Sequence, residues 1–115
     1  LPHDWRKAAA FVIHEHMRAP RLTRPGKIAD LLLGIGASGL SIAEFNIIIR
    51  ADHGSLPDYL TRGADYLAAM RTVTGRSAPP ELSGEEIGAW LRTERIRVLR
   101  KHRETQSVKN FLLER

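Results

Sequence analysis

The stretch Leu40–Ile49, with the sequence LSIAEFNIII, constrains the fold most, because a helix start directly precedes an almost continuous apolar run. Ser41 and Glu44 have the spacing of a capping box, in which each side chain accepts a hydrogen bond from the other residue's backbone N–H. Leu40 and Phe45 are placed to pack as a hydrophobic staple around this start. The β-branched residues also favour a buried strand, but the cap favours a helix.

Apolar residues cover most of the circumference of this central helix. Ile42, Phe45 and Ile49 form one stripe at helical spacing, and two further isoleucines point in other directions. A helix that is apolar on several sides is usually buried. We therefore expect the central helix to be buried between the other elements and to end at Gly54, its C-terminal cap.

The rest of the chain divides into helices separated by connections that contain Gly and Pro. The predicted helices are Pro2–Arg18, a second one capped by Thr23 that stops in the segment GIGASG, one from the Ser55 cap through Val73, and one from Gly84 to about Leu113. Ser83 and Glu86 repeat the capping box before the last helix, which would span roughly 45 Å. We expect an all-α fold, with one domain of about five helices over residues 1–115.

Two of these helices carry features that bear on packing. In the first helix, six residues share one face at helical spacing: Trp5, Ala8, Ala9, Val12, Ile13 and His16. In the 55–73 helix, Gly63 lies within the apolar stripe and predicts the close approach of a neighbouring helix. The alternative is a tolerated defect that costs about 1 kcal/mol relative to Ala.

The composition excludes several classes of protein. Hydrophobic residues make up 43% of the chain and charged residues 27%, as in ordinary soluble domains. No apolar run reaches the length of about eighteen residues that a membrane span requires. The chain has no Cys, which excludes a disulfide scaffold, thiol catalysis and Cys-ligated metals. It also fits a reducing intracellular compartment, and we expect a cytoplasmic protein.

Two short patterns are candidate sites for chemistry. His14 and His16 diverge by about 200° on a helix, so they are not expected to bind one metal ion. GIGASG matches the letters of a dinucleotide-binding loop, but an amphipathic helix precedes it instead of a strand, so we interpret it as a helix connection. No Ser, His and acidic residues occur at a recognisable catalytic spacing. We expect no enzymatic activity, no cofactor and no metal site.

Basic residues concentrate at the C-terminal end of the chain. Residues 92–115 carry eight Lys or Arg and three Asp or Glu, a local charge of +5 that equals the net charge of the whole chain. Arg binds phosphate oxygens bidentately through its planar guanidinium. The predicted nucleic-acid-binding residues are Arg92, Arg95, Arg97, Arg100, Lys101 and Arg103. The alternative is a solvated helix face with Glu94 and Glu104 as partial ion-pair partners.

A helix-turn-helix is the natural architecture to test for nucleic-acid binding. With Gly39 as the turn glycine, the recognition helix is the central helix, which is too apolar to face DNA. With the central helix as the first of the pair, the recognition helix starts near Tyr59, and Asp58 and Asp65 would repel phosphates. Because neither register is convincing, the last helix is the expected contact.

The sequence therefore supports two functional hypotheses. The first is a small non-enzymatic nucleic-acid-binding or regulatory protein that uses its basic C-terminal helix. The alternative is a helical protein–protein interaction module or assembly subunit, whose last helix docks on an acidic protein or on a second copy. Four apolar residues are the predicted anchors of that interaction: Val108, Phe111, Leu112 and Leu113.

Overall fold

The computed structural model describes residues 5–114, and within that range its regular secondary structure is entirely helical. The helices are α1 (Trp5–Glu15), α2 (Pro25–Ala37), α3 (Ile42–His53), α4 (Asp58–Thr61), α5 (Gly63–Arg71) and α6 (Gly84–Leu113), with short 3₁₀ turns at Ala19–Arg21 and Gly75–Ser77. The all-α prediction is confirmed. Residues 2–4 of the predicted first helix lie outside the described residues.

Contacts divide the chain into two compact units, Leu1–Leu67 and Ala68–Arg115, and the boundary falls within α5. Each unit is described by itself below. That the whole chain forms one domain stays a prediction.

The first unit is built around α3, which packs against α2, α4 and the first 3₁₀ turn. The predicted stripe of Ile42, Phe45 and Ile49 is buried, as expected. The Phe45 ring packs against Phe11, with 6.0 Å between the ring centroids. However, Ile47 is 69% exposed, so α3 is buried on one side only. Its remaining apolar surface faces solvent.

The predicted start and end of α3 are confirmed. The Glu44 N–H donates to the Ser41 hydroxyl at 3.0 Å, and the Ser41 N–H donates to a Glu44 carboxylate oxygen at 2.9 Å. Both arms of the capping box are therefore formed. Gly54 ends the helix in the left-handed region, with φ at +86°, which Gly adopts without steric cost.

The predicted cap of α2 is wrong, whereas the helix ends within the predicted segment GIGASG. The N-cap is Arg24, without a side-chain cap, instead of Thr23. At the other end the helix continues through Gly34 to Ala37. A Cβ on Gly34 would lie 2.9 Å from the Phe11 ring. Tertiary packing of that ring therefore outweighs the low helix propensity of Gly at this position.

The predicted 55–73 helix is shorter and broken. It has no Ser55 cap, since α4 begins at Asp58 after Pro57, and it is interrupted at Arg62 before α5. Of the seven residues in its predicted apolar stripe, Val73 lies beyond α5 and is half-buried. The other six are buried: Tyr59, Leu60, Gly63, Tyr66, Leu67 and Met70. The close approach at Gly63 is also confirmed, because a Cβ there would lie 3.0 Å from Ile42 Cγ2 and 3.1 Å from Leu32 Cδ2.

The second unit contains the long α6, which runs without interruption from Gly84 to Leu113, as predicted. At its start, the Ser83 N–H donates to a Glu86 carboxylate oxygen at 3.2 Å. Leu99 is fully buried near the middle of the helix. Arg95 donates from its guanidinium to the Val73 carbonyl at 3.1 Å, which joins α6 to the segment after α5.

Candidate interaction surfaces

The six cations predicted to bind nucleic acid do not form one face of α6. Arg97, Arg100 and Lys101 are three and four residues apart, so they share one side of the helix. Arg92 and Arg103 are separated by about three turns and share a different side. Arg95 follows Arg92 by three residues and shares that second side. The six cations are therefore divided three and three between two sides of α6.

Arg95 and Arg97 are both engaged within the protein. Arg95 is half-buried, and its guanidinium donates to the Val73 carbonyl. Arg97 forms an ion pair with Glu94, one turn earlier on α6. Arg100 and Lys101 are exposed, but Glu104 follows them at the spacing of helical ion pairs. Arg103, like Arg95, is half-buried. The phosphate-binding role of these residues stays a prediction.

The four predicted protein-interaction residues at the end of α6 are all exposed. Their exposed fractions range from 57% for Val108 to 84% for Leu113. Val108, Phe111 and Leu112 are three and four residues apart and therefore share one side of the helix. We call these three residues the α6 ridge. Since large apolar side chains at such spacing usually mark a buried helix face, their exposure identifies a candidate docking surface.

A second apolar surface lies in the first unit, where α1 and α3 border an open groove. Its volume is about 390 Å³. All of the lining residues are apolar: Trp5, Ala8, Ala9, Val12, Ile13, Leu40 and Ile48. Ile13, for example, is 72% exposed. We call this surface the α1–α3 groove.

The α1–α3 groove was not identified from the sequence. The stripe on the first helix predicted a shared apolar face, and five of its six members line the groove instead of a closed core. No residue of α1 is buried. The signal that pointed to this surface was the apolar circumference of α3. The apolar residues on one side of α3 fill the core, and the apolar residues on its other sides lie outside the core.

Acidic side chains flank the groove on its α3 wall. Glu44 and Asp52 lie one helical turn before and after Ile48, and both are exposed. The pKa of Glu44 is lowered from its ordinary value of 4.5, first by the backbone N–H of Ser41 and then by its hydroxyl. Glu44 therefore keeps its negative charge at neutral pH. Asp52 lies 4.0 Å from His16 Nε2.

The corner between α2 and α3 has the geometry of a helix-turn-helix but lacks its chemistry. The two helices are bent by 113°, and the turn glycine, Gly39, has φ at +93°. Near the start of α3, however, Ile42 is buried and Asn46 donates to the Leu60 carbonyl at 2.8 Å. Ile47 is 69% exposed on the outer side of α3. The corner presents apolar surface where a recognition helix presents hydrogen-bond donors.

The alternative helix-turn-helix register is also unsupported by the geometry. Its recognition helix would begin near Tyr59, which is buried and donates through its hydroxyl to the Ala19 carbonyl at 2.5 Å. That phenol therefore fixes the first 3₁₀ turn against α4 and is not accessible to a base edge.

The histidine and glycine patterns have structural explanations. Nδ1 of His16 lies 3.1 Å from the Val12 carbonyl oxygen and 3.0 Å from that of Ile13. Within residues 5–114, no three His, Asp or Glu side chains are grouped as metal ligands. Gly34 and Gly36 lie inside α2, so GIGASG is largely helix and does not form a phosphate-binding loop.

Comparison with protein-family models, with curated proteins and with solved structures finds no match to this chain. Among the described residues, no single helix is both long enough and apolar enough to cross a membrane. The bent pair of α2 and α3 passes that test only when the two helices are taken together.

Proposed function

We propose that this protein is a non-enzymatic helical interaction module that docks on a partner protein through the end of α6. The observation that carries the proposal is the α6 ridge, Val108, Phe111 and Leu112, which is exposed on one side of a continuous helix. Anchors at this spacing are the way an amphipathic helix enters a hydrophobic groove. The partner surface would therefore be an apolar groove.

The free energies expected from apolar burial and from exposed ion pairs favour the ridge over the cations as the source of affinity. Burying one Val, Leu or Phe side chain fully contributes about 1.5–3 kcal/mol. An exposed ion pair contributes about 0–1 kcal/mol. The cations upstream of the ridge would instead steer association and select a partner of negative charge. This assignment accounts for a helix that is basic in the middle and apolar at its end.

A photo-reactive side chain in place of Ser107, beside the ridge, provides the test. In an extract of the producing cells, the parent should form a specific cross-linked product. The double variant Phe111→Ser, Leu112→Ser should lose that product, because its anchors are gone. Met17→Ser removes another exposed apolar side chain outside α6 and should keep it. If the double variant cross-links like the parent while remaining helical by circular dichroism, the proposal is wrong.

Nucleic-acid binding is the second candidate function. It is supported by the three cations that share one side of α6, namely Arg97, Arg100 and Lys101, and by the +5 charge of residues 92–115. Arg92 and Arg103 lie on another side of α6 and would be further contacts. Such contacts would bind phosphates without reading sequence.

A further inference from the structure

Two apolar surfaces of complementary shape are exposed on this one chain. The α6 ridge is convex, since it consists of three side chains on one side of a helix. The α1–α3 groove is concave, and its lining is wholly apolar. Soluble proteins that expose large apolar patches usually cover them with a partner. A ridge and a groove on the same chain make a second copy a partner of suitable chemistry for both.

One flank of the ridge carries charges opposite in sign to those on the α3 wall of the groove. Glu44 and Asp52 flank the groove on α3, and both are exposed. Lys101 and Lys109 lie on α6, one before the ridge and one within its length, and both are exposed. Glu104 and Glu114 also border the ridge, on the flank opposite the two lysines.

The spacing of these charges also corresponds. The two acids are eight residues apart on one helix, and so are the two lysines, which places each pair about 12 Å apart along its helix axis. An α6 end that lies along α3 therefore brings both lysines toward the two carboxylates at once. Such a match favours one alignment of the ridge in the groove over other apolar contacts.

We propose that the α1–α3 groove of one copy holds the α6 ridge of a second copy, so that the chain assembles with itself. This inference rests on the proposed function, since it names the partner that the ridge binds. A single ridge in a groove of about 390 Å³ is a small interface. The expected assembly is weak and depends on concentration.

Sedimentation velocity of the full chain, from about 1 µM to about 1 mM, tests the proposal. The parent should sediment faster as its concentration rises. The ridge variant Phe111→Ser, Leu112→Ser and the groove variant Ile13→Glu should each weaken self-association at least tenfold. Met17→Glu is the matched control, since Met17 is 71% exposed and Ile13 is 72% exposed, but Met17 does not line the groove. The control should behave like the parent.

Mixing the ridge variant with the groove variant distinguishes this interface from a contact between two α6 ridges. The mixture contains one intact ridge and one intact groove. It should therefore associate more tightly than either variant alone and less tightly than the parent. Raising the salt concentration should weaken association of the parent, because the flanking charges are exposed.

Three outcomes would overturn the inference: a parent that stays monomeric over the whole range, an Ile13→Glu variant that associates like the parent, or a mixture no tighter than its components. The cross-linking experiment separates this failure from failure of the proposed function. If the ridge variant still loses a cross-linked product with another protein, the ridge docks elsewhere and only the inference is wrong. If neither measurement depends on the ridge, both are wrong.

Discussion

Single residues decide how closely the helices of the first unit approach. Gly63 is buried at the start of α5, between Ile42 and Leu32. Both neighbours are buried, so neither moves aside without disturbing the core. Gly88 provides the contrast, because it is exposed in α6 and a Cβ there would meet no atom within 4 Å. Gly63 therefore has no room for a Cβ, whereas Gly88 has open space around it.

Substituting each glycine with Ala should therefore change stability in opposite directions. Gly63→Ala should lower the free energy of unfolding by about 1 kcal/mol, because the added methyl group overpacks the core. Gly88→Ala should raise it by up to about 1 kcal/mol, because Ala loses less backbone entropy in a helix. Urea denaturation of the parent and both variants measures the two changes. A Gly63→Ala variant more stable than the parent would contradict the tight packing around this position.

At the scale of the element, the start of α3 shows how a short polar pattern overrides the β propensity of an isoleucine run. The capping box satisfies the N–H groups of Ser41 and Glu44, which otherwise have no partner within the helix. The same pattern precedes α6. Both helices begin where their capping serines predict, whereas α2 and α4 begin without a side-chain cap, where sequence boundaries were wrong.

The carboxylate of this capping box should make stability depend on pH. Because hydrogen bonds from Ser41 lower the pKa of Glu44 in the folded state, its contribution is complete above the ordinary value of 4.5 and is lost as the pH falls through the lowered pKa. Glu44→Gln keeps a capping-box side chain but does not titrate. The parent should be more stable than Glu44→Gln at pH 7, and the difference should shrink below pH 4.5. Thermal unfolding of both proteins, from pH 7 to below pH 4.5, measures this difference in stability. A difference that does not change with pH would contradict the role of the Glu44 charge.

At the scale of the whole molecule, the net charge and the positions of the charged residues lead to different conclusions about phosphate binding. The chain carries +5 in total, and residues 92–115 account for that value. Within α6, however, the cations lie on several sides, and Arg95 and Arg97 are engaged with Val73 and Glu94. A high local charge therefore does not by itself make a phosphate-binding face. The side of α6 that carries Arg97, Arg100 and Lys101 is the one to test.

Nucleic-acid binding, the second candidate, makes a quantitative prediction for that side. Replacing Arg97, Arg100 and Lys101 with Gln should weaken duplex binding and reduce the slope of log K against log salt by about 0.9 for each phosphate that is no longer neutralised. A control that replaces three exposed cations outside α6 lowers the net charge equally and should keep the slope: Arg21, Lys27 and Arg76. Fluorescence anisotropy with random duplex measures both. If the parent shows no salt-dependent binding, this candidate function is wrong.

The sequence by itself determined the elements whose causes are local. Capping boxes at Ser41 and Ser83 placed two helix starts correctly, and Gly54 placed one helix end. The buried stripe of α3 and the close approach at Gly63 also followed from spacing and residue size. Each of these features depends on interactions between neighbours in sequence, or on a periodicity that marks which side of a helix is apolar.

Only the tertiary structure decided which apolar and charged surfaces remained exposed. α2 continues through Gly34 because a ring from α1 packs there, and Arg95 turns inward because the Val73 carbonyl is within reach. The α1–α3 groove likewise exists because α3 has more apolar surface than its neighbours cover. Periodicity identifies an apolar side, but burial depends on the residues that other segments bring to it. These contacts join residues far apart in sequence, and local patterns do not encode them.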